Sequence, residues 1–383
     1  MIASALAALL ACAAAAAAPA PARDARITAE ASAIVDLFYG HDFDRAAPAA
    51  AALEARHPGH PAGPLFRAIV EYQRWTAGGL TDRGAWTAVE ADLARAVDEA
   101  KAMEASSPAE SNYYLGAALG FRARGLAAQR RYIGAVSDAS ASLKHLKKAL
   151  ALDPSLTDAE LGLGMYHYFA ARMPGAAKPF ARLLIGEGGD RDRGLAELWS
   201  VANSTGIARM EARSVLSMIL SKNDEADWAG SEKLLIELMA RYPRNPVYRL
   251  RRIYVAERRE DWDRAAALAD PDGDWIPALN PAVRQRTRAW ALYRAAEALL
   301  LKGRLDEAER RLDELDARRA PKGLGDWIRL RRGNLDDARG RRAAAKAAYA
   351  SVTDKAAAPL ARAFQSDPFP AGLRDVAPFF SGY

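Results

Sequence analysis

The stretch Ser142-Leu143-Lys144-His145-Leu146-Lys147-Lys148-Ala149-Leu150-Ala151-Leu152-Asp153-Pro154 decides the fold class. Leu143, Leu146 and Leu150 recur three and four residues apart, which puts them on one face of a helix. Pro154 stops that helix, because proline lacks the N–H an interior turn needs and restricts the residue before it. The same ending occurs twice more. Leu234, Leu235, Leu238 and Met239 run into Arg241-Tyr242-Pro243, and Ala46, Ala50 and Leu53 run into Arg56-His57-Pro58. Apolar–polar alternation of strand length is absent. Apolar residues make up 50% of the chain, with Ala and Leu prominent, and aromatics only 8%. Ala has the highest helix propensity, so this balance predicts an all-α chain of closely packed helices.

The three segments share more than an ending. Each opens on a small residue, Ala46, Ser142 or Ser231. Apolar residues follow four and seven positions later: Ala50 and Leu53, Leu146 and Ala149, Leu235 and Leu238. Pro58, Pro154 and Pro243 then close them. Two further segments, Gly303-Arg304-Leu305-Asp306-Glu307-Ala308 and Gly333-Asn334-Leu335-Asp336-Asp337-Ala338, lie 30 residues apart. Each reads as a glycine turn into a second helix, with Ala308 and Ala338 at a tight crossing and Ala345 at the last position of the second unit. The helix before Gly303 aligns Leu292, Ala295, Ala296 and Leu299.

This pattern resembles the tetratricopeptide (TPR) repeat, a motif of about 34 residues in which two antiparallel helices pair and successive pairs stack. The resemblance implies an α-α superhelix, a TPR-like solenoid over residues 23–383, whose concave face holds a protein or peptide partner. Residues 75–108 match the motif poorly, although Trp75, Trp86 and Leu93 read as packed. A narrower resemblance rests on four stretches in order. They are Tyr113-Tyr114-Leu115-Gly116-Ala117-Ala118, the 141–154 helix, Gly162-Leu163-Gly164-Met165-Tyr166-His167-Tyr168, and Gly189-Asp190-Arg191-Asp192-Arg193-Gly194-Leu195. Together they are similar to a bacterial family of exported or uncharacterised tetratricopeptide proteins, distantly reminiscent of a eukaryotic outer-mitochondrial helical-repeat family. That resemblance covers roughly residues 110–250 and implies export, with no catalytic role attached.

Residues 1–22 carry no charge, are rich in Ala and Leu, and close on Ala20-Pro21-Ala22. They read as a signal peptide cleaved after Ala22. Leu9-Leu10-Ala11-Cys12 also resembles a lipoprotein processing box, which would make Cys12 the lipidated residue, and retention as an anchor is the third possible fate. The expectation is a periplasmic or otherwise exported bacterial protein, membrane-associated only if Cys12 is lipidated or the leader retained. Beyond Cys12 the sequence has no thiol, which excludes disulfides and cysteine nucleophiles from the body.

The net charge of +6 arises from 54 Lys+Arg against 48 Asp+Glu. The charges interleave, as in Arg258-Arg259-Glu260-Asp261, and form no basic stripe, so nucleic acid is not an expected partner. His41, His57, His60, His145 and His167 form no metal-binding spacing, and there is no phosphate or dinucleotide loop. No cofactor and no metal are expected. His57 and His60 read as turn residues around Pro58. The acid pairs Asp306-Glu307 and Asp336-Asp337 read as helix N-terminal residues favoured by the macrodipole. Asp190-Arg191-Asp192-Arg193 reads either as salt-bridged surface or as a structured turn opening the helix through Leu195, Leu198 and Ala202.

Between Phe169 and Leu195 the pattern breaks, giving an irregular insert at about 170–194. Its Arg172 and Arg182, with Tyr166, His167 and Tyr168 beside them, are the candidate partner contacts. The expected function is an exported scaffold or adaptor in envelope assembly or maintenance. The alternative is a helical enzyme, or an auxiliary helical domain of an enzyme complex.

Overall fold

The computed structural model describes residues 24–78, 83–172, 188–316, 318–321 and 323–369. The leader, Cys12 and Arg182 lie outside them. Regular structure among the described residues is entirely helical. The chain opens with α1 (Ala25–Tyr39), α2 (Phe43–Arg56), α3 (Ala62–Ala77), α4 (Arg83–Ala102), α5 (Pro108–Ala128) and α6 (Tyr132–Leu152). It continues with α7 (Glu160–Ala171), α8 (Arg191–Asn203), α9 (Arg209–Leu220), α10 (Trp228–Arg241), α11 (Pro246–Arg258) and α12 (Trp262–Leu268). The last elements are α13 (Pro281–Leu301), α14 (Leu305–Asp313), α15 (Leu324–Ala338), α16 (Arg342–Ala350) and α17 (Ala358–Ser366). Contacts run chiefly between consecutive helices, which makes this an all-α fold of helix pairs consistent with a helical solenoid. Among the described residues no helix is long and apolar enough to cross a membrane.

One junction geometry recurs. His41, Arg130, Ala226, Glu260, Gly303 and Gly340 all adopt positive φ, between 50° and 86°. Five residues after each comes a buried small residue: Ala46, Ala135, Ser231, Ala265, Ala308 and Ala345. At Gly303 the turn closes with Gly303 N–H donating to Leu300 O at 2.9 Å and Arg304 N–H to Leu299 O at 2.8 Å. The same two bonds close the turns at His41, Arg130, Glu260 and Gly340. This paired pattern satisfies the last carbonyls of the first helix. The Ala226 turn uses a single bond to Lys222 O at 2.8 Å, the simpler variant of the same cap. In every case the next residue takes the position before the second helix and its carbonyl accepts that helix's first bond from the small residue, as Arg304 O does from Ala308 N–H at 3.0 Å. A reversal this short lays the start of the second helix directly on the end of the first, and only Ala or Ser fits there.

The junctions correct one predicted register. Gly333 to Ala338 do not form an interhelix turn; they lie within α15. The turn is at Gly340, 37 residues after Gly303, and Ala345 takes the tight position. Ala338 is exposed, and Asp336 and Asp337 close α15 instead of opening a helix. Gly333 has a different purpose: a Cβ there would overlap the Tyr349 ring of α16. The other small and apolar repeat positions, Ala46, Ala50, Leu53, Leu146, Ala149, Leu235, Leu238 and Ala308, are buried, and Pro58, Pro154 and Pro243 lie just past helix ends.

The described residues divide into two compact units. One gathers the residues up to Ile34, Pro48–Ile69 and Val89–Glu197; the other gathers Val35–Ala47, Val70–Ala88 and the residues from Leu198 onward. In the first unit α5 and α6 cross closely. Leu146 fits between Gly116 and Gly162, where a Cβ on either glycine would come within 2.5 Å of it. Ser142 Oγ donates to Gly116 O at 2.6 Å across the same crossing.

In the second unit the first helices of successive pairs, α11, α13 and α15, also touch one another. Each carries a buried arginine nine positions before its junction: Arg251, Arg294 and Arg331. Arg331 donates to Glu297 Oε1 through Nε (2.9 Å) and Nη2 (2.7 Å), and through Nη1 to Asn334 Oδ1 at 2.9 Å. Arg294 Nη1 joins Glu257 Oε2 at 2.9 Å to Glu297 Oε2 at 2.8 Å, and its guanidinium lies 5.6 Å from the Tyr254 ring centre. Tyr293 Oη adds a bond to Glu297 Oε1 at 2.7 Å. Glu257 Oε1 is buried with no partner, and burial pushes the Glu257 carboxyl up to about 8. Around this polar line the apolar core runs from Leu250 and Ile253 through Leu299, Trp327 and Ile328 to Phe364.

Candidate functional site

The predicted partner residues that are described, Tyr166, His167, Tyr168 and Arg172, lie in the first unit. α7 carries Tyr166, His167 and Tyr168, yet Tyr168 is 0% and His167 1% exposed. Burial withdraws both from the role of surface contact assigned to them by sequence. Tyr166 and Arg172 are half-buried, and the Arg172 guanidinium stacks 5.3 Å from the Tyr168 ring centre. His167 Nδ1 pairs with Glu197 Oε2 at 2.6 Å, and Glu197 Oε1 accepts from Arg193 Nε at 2.9 Å. Asp190 N–H donates to His167 O at 3.0 Å, and Asp190 Oδ1 accepts from Arg193 N–H at 3.0 Å. The Asp190–Arg193 run is therefore a structured turn that caps α8 and ties it to α7, and Gly194 lets α8 lie on the backbone of Tyr168 and Gly164.

The remaining sequence candidates do not converge. His57 faces Glu30 at 3.7 Å, whereas His60 faces Glu110 at 3.6 Å and packs edge-on to Tyr114. Asp336 pairs with Arg341 at 2.8 Å, Asp337 with Arg342 at 2.9 Å, Asp306 with Arg339 and Glu307 with Arg304. Among the described residues no group of three or more His, Cys, Asp or Glu is placed to hold a metal ion.

The second unit contains a partly open cavity of about 120 Å³. It is lined by the polar residues His41, Gln73, Thr76, Ser214, Asn245, Tyr39 and Tyr248 and by the apolar residues Phe38, Ala77 and Val247. The α1–α2 junction places His41, whose φ is 57°. Its carbonyl accepts from Asn280 Nδ2 at 3.2 Å, which holds the turn. The His41 side chain is 6% exposed and its Nδ1 meets no hydrogen-bond partner. Burial, then the charges of Arg286 and Arg244, push the imidazole down to about 4, so it is neutral at physiological pH. Arg244 lies 3.8 Å from Asp42, and Arg286 donates to Ala77 O.

On the α11 side, Asn245 caps the helix by accepting from Val247 N–H at 3.0 Å and donates through Nδ2 to Tyr39 O at 3.0 Å. Tyr39 Oη is committed to Glu211 Oε2 at 2.9 Å. The Tyr248 hydroxyl is buried beside Ser214 without a bond of good geometry, and burial raises it well above the usual phenol range. Arg251 donates to Ser217 Oγ at 3.2 Å, and burial lowers its guanidinium to about 10.

No protein-family model matches the sequence, and no curated protein matches it. Sequence reasoning missed this cavity. Its one local signal was His41 at the break between two helical patterns, and the other lining residues come from far along the chain.

Proposed function

We propose that this protein is an exported helical-repeat scaffold of tetratricopeptide-like design that holds a protein or peptide partner. The observation that carries the reading is the junction repeated six times, each with its left-handed residue and its buried small residue five positions on. A chain built from such units gains its core by stacking pairs, and the pairs' outer faces are left for binding. The first unit presents Tyr132, Ile133 and Val136 at the start of α6, with Ile133 92% exposed, and exposed apolar groups of this kind favour an interaction surface. Tyr166 and Arg172 supply a basic, aromatic rim suited to an acidic partner segment, and Arg182, which lies outside the described residues, is the further basic residue of the sequence reading.

The test is affinity capture of the tagged full chain from envelope and soluble fractions, beside Arg172→Glu/Arg182→Glu. One protein recovered at stoichiometric yield, lost in the double variant at unchanged melting temperature, supports the scaffold and its rim. Full capture by the double variant at both low and physiological salt removes the rim. Turnover of a small molecule by the purified chain, with no stoichiometric partner, overturns the scaffold reading.

A further inference from the structure

We propose that the outer face of α6 docks on an anionic membrane surface, with Tyr132, Ile133 and Val136 entering the lipid and the lysines further along meeting the headgroups. This goes beyond the scaffold reading and does not depend on it.

Spacing and exposure together define the face. Ile133, Ser137, Ser140, Lys144, Lys148 and Ala151 follow one another at three or four residues, so they form one stripe, with Val136 and Lys147 at its edge. The same helix turns Ala135, Ser142, Leu146 and Ala149 inward. The stripe runs roughly 22 Å from Ile133 to Lys148. At its start Ile133 is 92% and Tyr132 62% exposed, and Val136 is exposed beside them. Large apolar side chains left in solvent within about one helical turn mark a surface that something covers.

Charge says what covers it. α6 contains one acid, Asp138, which is buried against Arg122 with bonds of 2.6 and 2.8 Å. The stripe carries Lys144, Lys147 and Lys148 and no acid, and the exposed Arg130 and Arg131 stand just ahead of Tyr132. Glu90 meets Arg131 at 3.4 Å and Glu104 meets Lys148 at 2.8 Å, while Asp153, past the helix end, is turned to Ser155. Five cations against these three acids leave the face positive. Shape then separates a membrane from an acidic protein. At 92% exposure no wall rises beside Ile133, so the apolar tip projects. A fluid lipid phase closes round such a tip, whereas a protein would have to bring a pocket for it. Tyrosine suits the membrane interface, and lysine stems let ammonium groups reach headgroups while α6 lies along the surface.

The experiment floats the full chain with vesicles of phosphatidylcholine alone and of phosphatidylcholine mixed equally with phosphatidylglycerol, at low and physiological salt. At low salt the parent is expected to partition at least about tenfold better onto the anionic vesicles, and to lose much of that preference at physiological salt. Ile133→Glu and Lys144→Glu should each lower the anionic partition about tenfold. Both should melt with the parent, since the two sites are exposed and an acid in the first turn of a helix is favourable. If Ile133→Glu does not fold, Ile133→Ser asks the same question. Residues 1–22 are uncharged and common to parent and variants, so they produce none of these differences. Equal partition onto the two vesicle types, no flotation, or undiminished flotation of either folded variant overturns the proposal. A dimer that Ile133→Glu dissolves, in a parent without anionic preference, also overturns it and assigns the face to a second copy.

Discussion

His41 is placed where its own charge is disfavoured, and this makes stability depend on acid. Its folded value of about 4 lies below the ordinary 6.5, so between these two pH values the unfolded chain binds more protons than the folded one. Stability is therefore full above about pH 6.5 and falls as pH drops toward 4, by up to about 3 kcal/mol from this group. His41→Gly should flatten that part of the curve, measured by urea unfolding at several pH values between 4 and 7. An unchanged acid limb would show that other groups carry it. Gly333 offers a second test at the same scale, because two effects oppose there. Replacing a glycine inside a helix by alanine ordinarily gains up to about 1 kcal/mol. Here the new Cβ meets the Tyr349 ring, and overpacking of that kind costs roughly 1–3 kcal/mol. Gly333→Ala should therefore lower the melting temperature; a rise would mean that α16 moves aside easily.

Between helices, the buried arginines decide what a substitution costs. Arg331→Met takes two hydrogen bonds from Glu297, itself 0% exposed, and leaves it the bond from Arg294; breaking a buried ion-pair network in this way costs up to about 3–5 kcal/mol. Glu297 also serves Arg294 and Tyr293, so Glu297→Met costs stability by itself, and combined with Arg331→Met the two losses should be less than additive, because each removes the same Arg331–Glu297 bonds. A loss in the double variant equal to the sum of the two single losses would contradict the pairing. Glu257 gives the opposite pH sense to His41. Burial raises its folded value to about 8 from 4.5, so the folded chain holds the extra proton between those limits. Stability from this group declines as pH rises from 4.5 to about 8, and Glu257→Gln should remove that decline in the same unfolding series. The helices themselves were legible, because three- and four-residue apolar spacing and proline stops act locally. The register of the last pairs was not. Four of the six left-handed junction residues are His41, Arg130, Ala226 and Glu260, none a glycine, so searching for Gly turns picked Gly333 and passed over Gly340. The alternation of Arg294 and Arg331 at the same 37-residue offset was visible in the sequence, but interleaved surface charge concealed it. The cavity was less legible still, since its walls come from α1, α3, α9 and α11 and converge only on folding.

Across the whole chain, a stack of pairs and an ordinary single core respond differently to the same injury. In a stack, each pair is stabilised mainly by its nearest neighbours, so damage at one interface loosens those pairs first. In a single cooperative core the damage lowers protection everywhere by the same amount, because exchange then requires global opening. The second unit allows the two to be separated. Arg331 belongs to α15 and binds Glu297 of α13, so Arg331→Met injures the interface between the α13–α14 and α15–α16 pairs. The α9–α10 pair lies within the same unit, and its buried Ser231 Oγ bonds Ser217 O at 2.8 Å; the buried arginine that reaches it is Arg251 of α11, through Ser217 Oγ at 3.2 Å. Hydrogen exchange followed by mass spectrometry should show the largest loss of protection over residues 281–301 and 324–350. Residues 246–268 should follow with a smaller loss, and 209–241 should be nearly unchanged. The magnitude expected at the injured interface, a few kcal/mol, corresponds to roughly a hundredfold or greater acceleration of exchange there. Equal acceleration in all four pairs would rule out nearest-neighbour stacking and with it the helical-repeat basis of the scaffold reading.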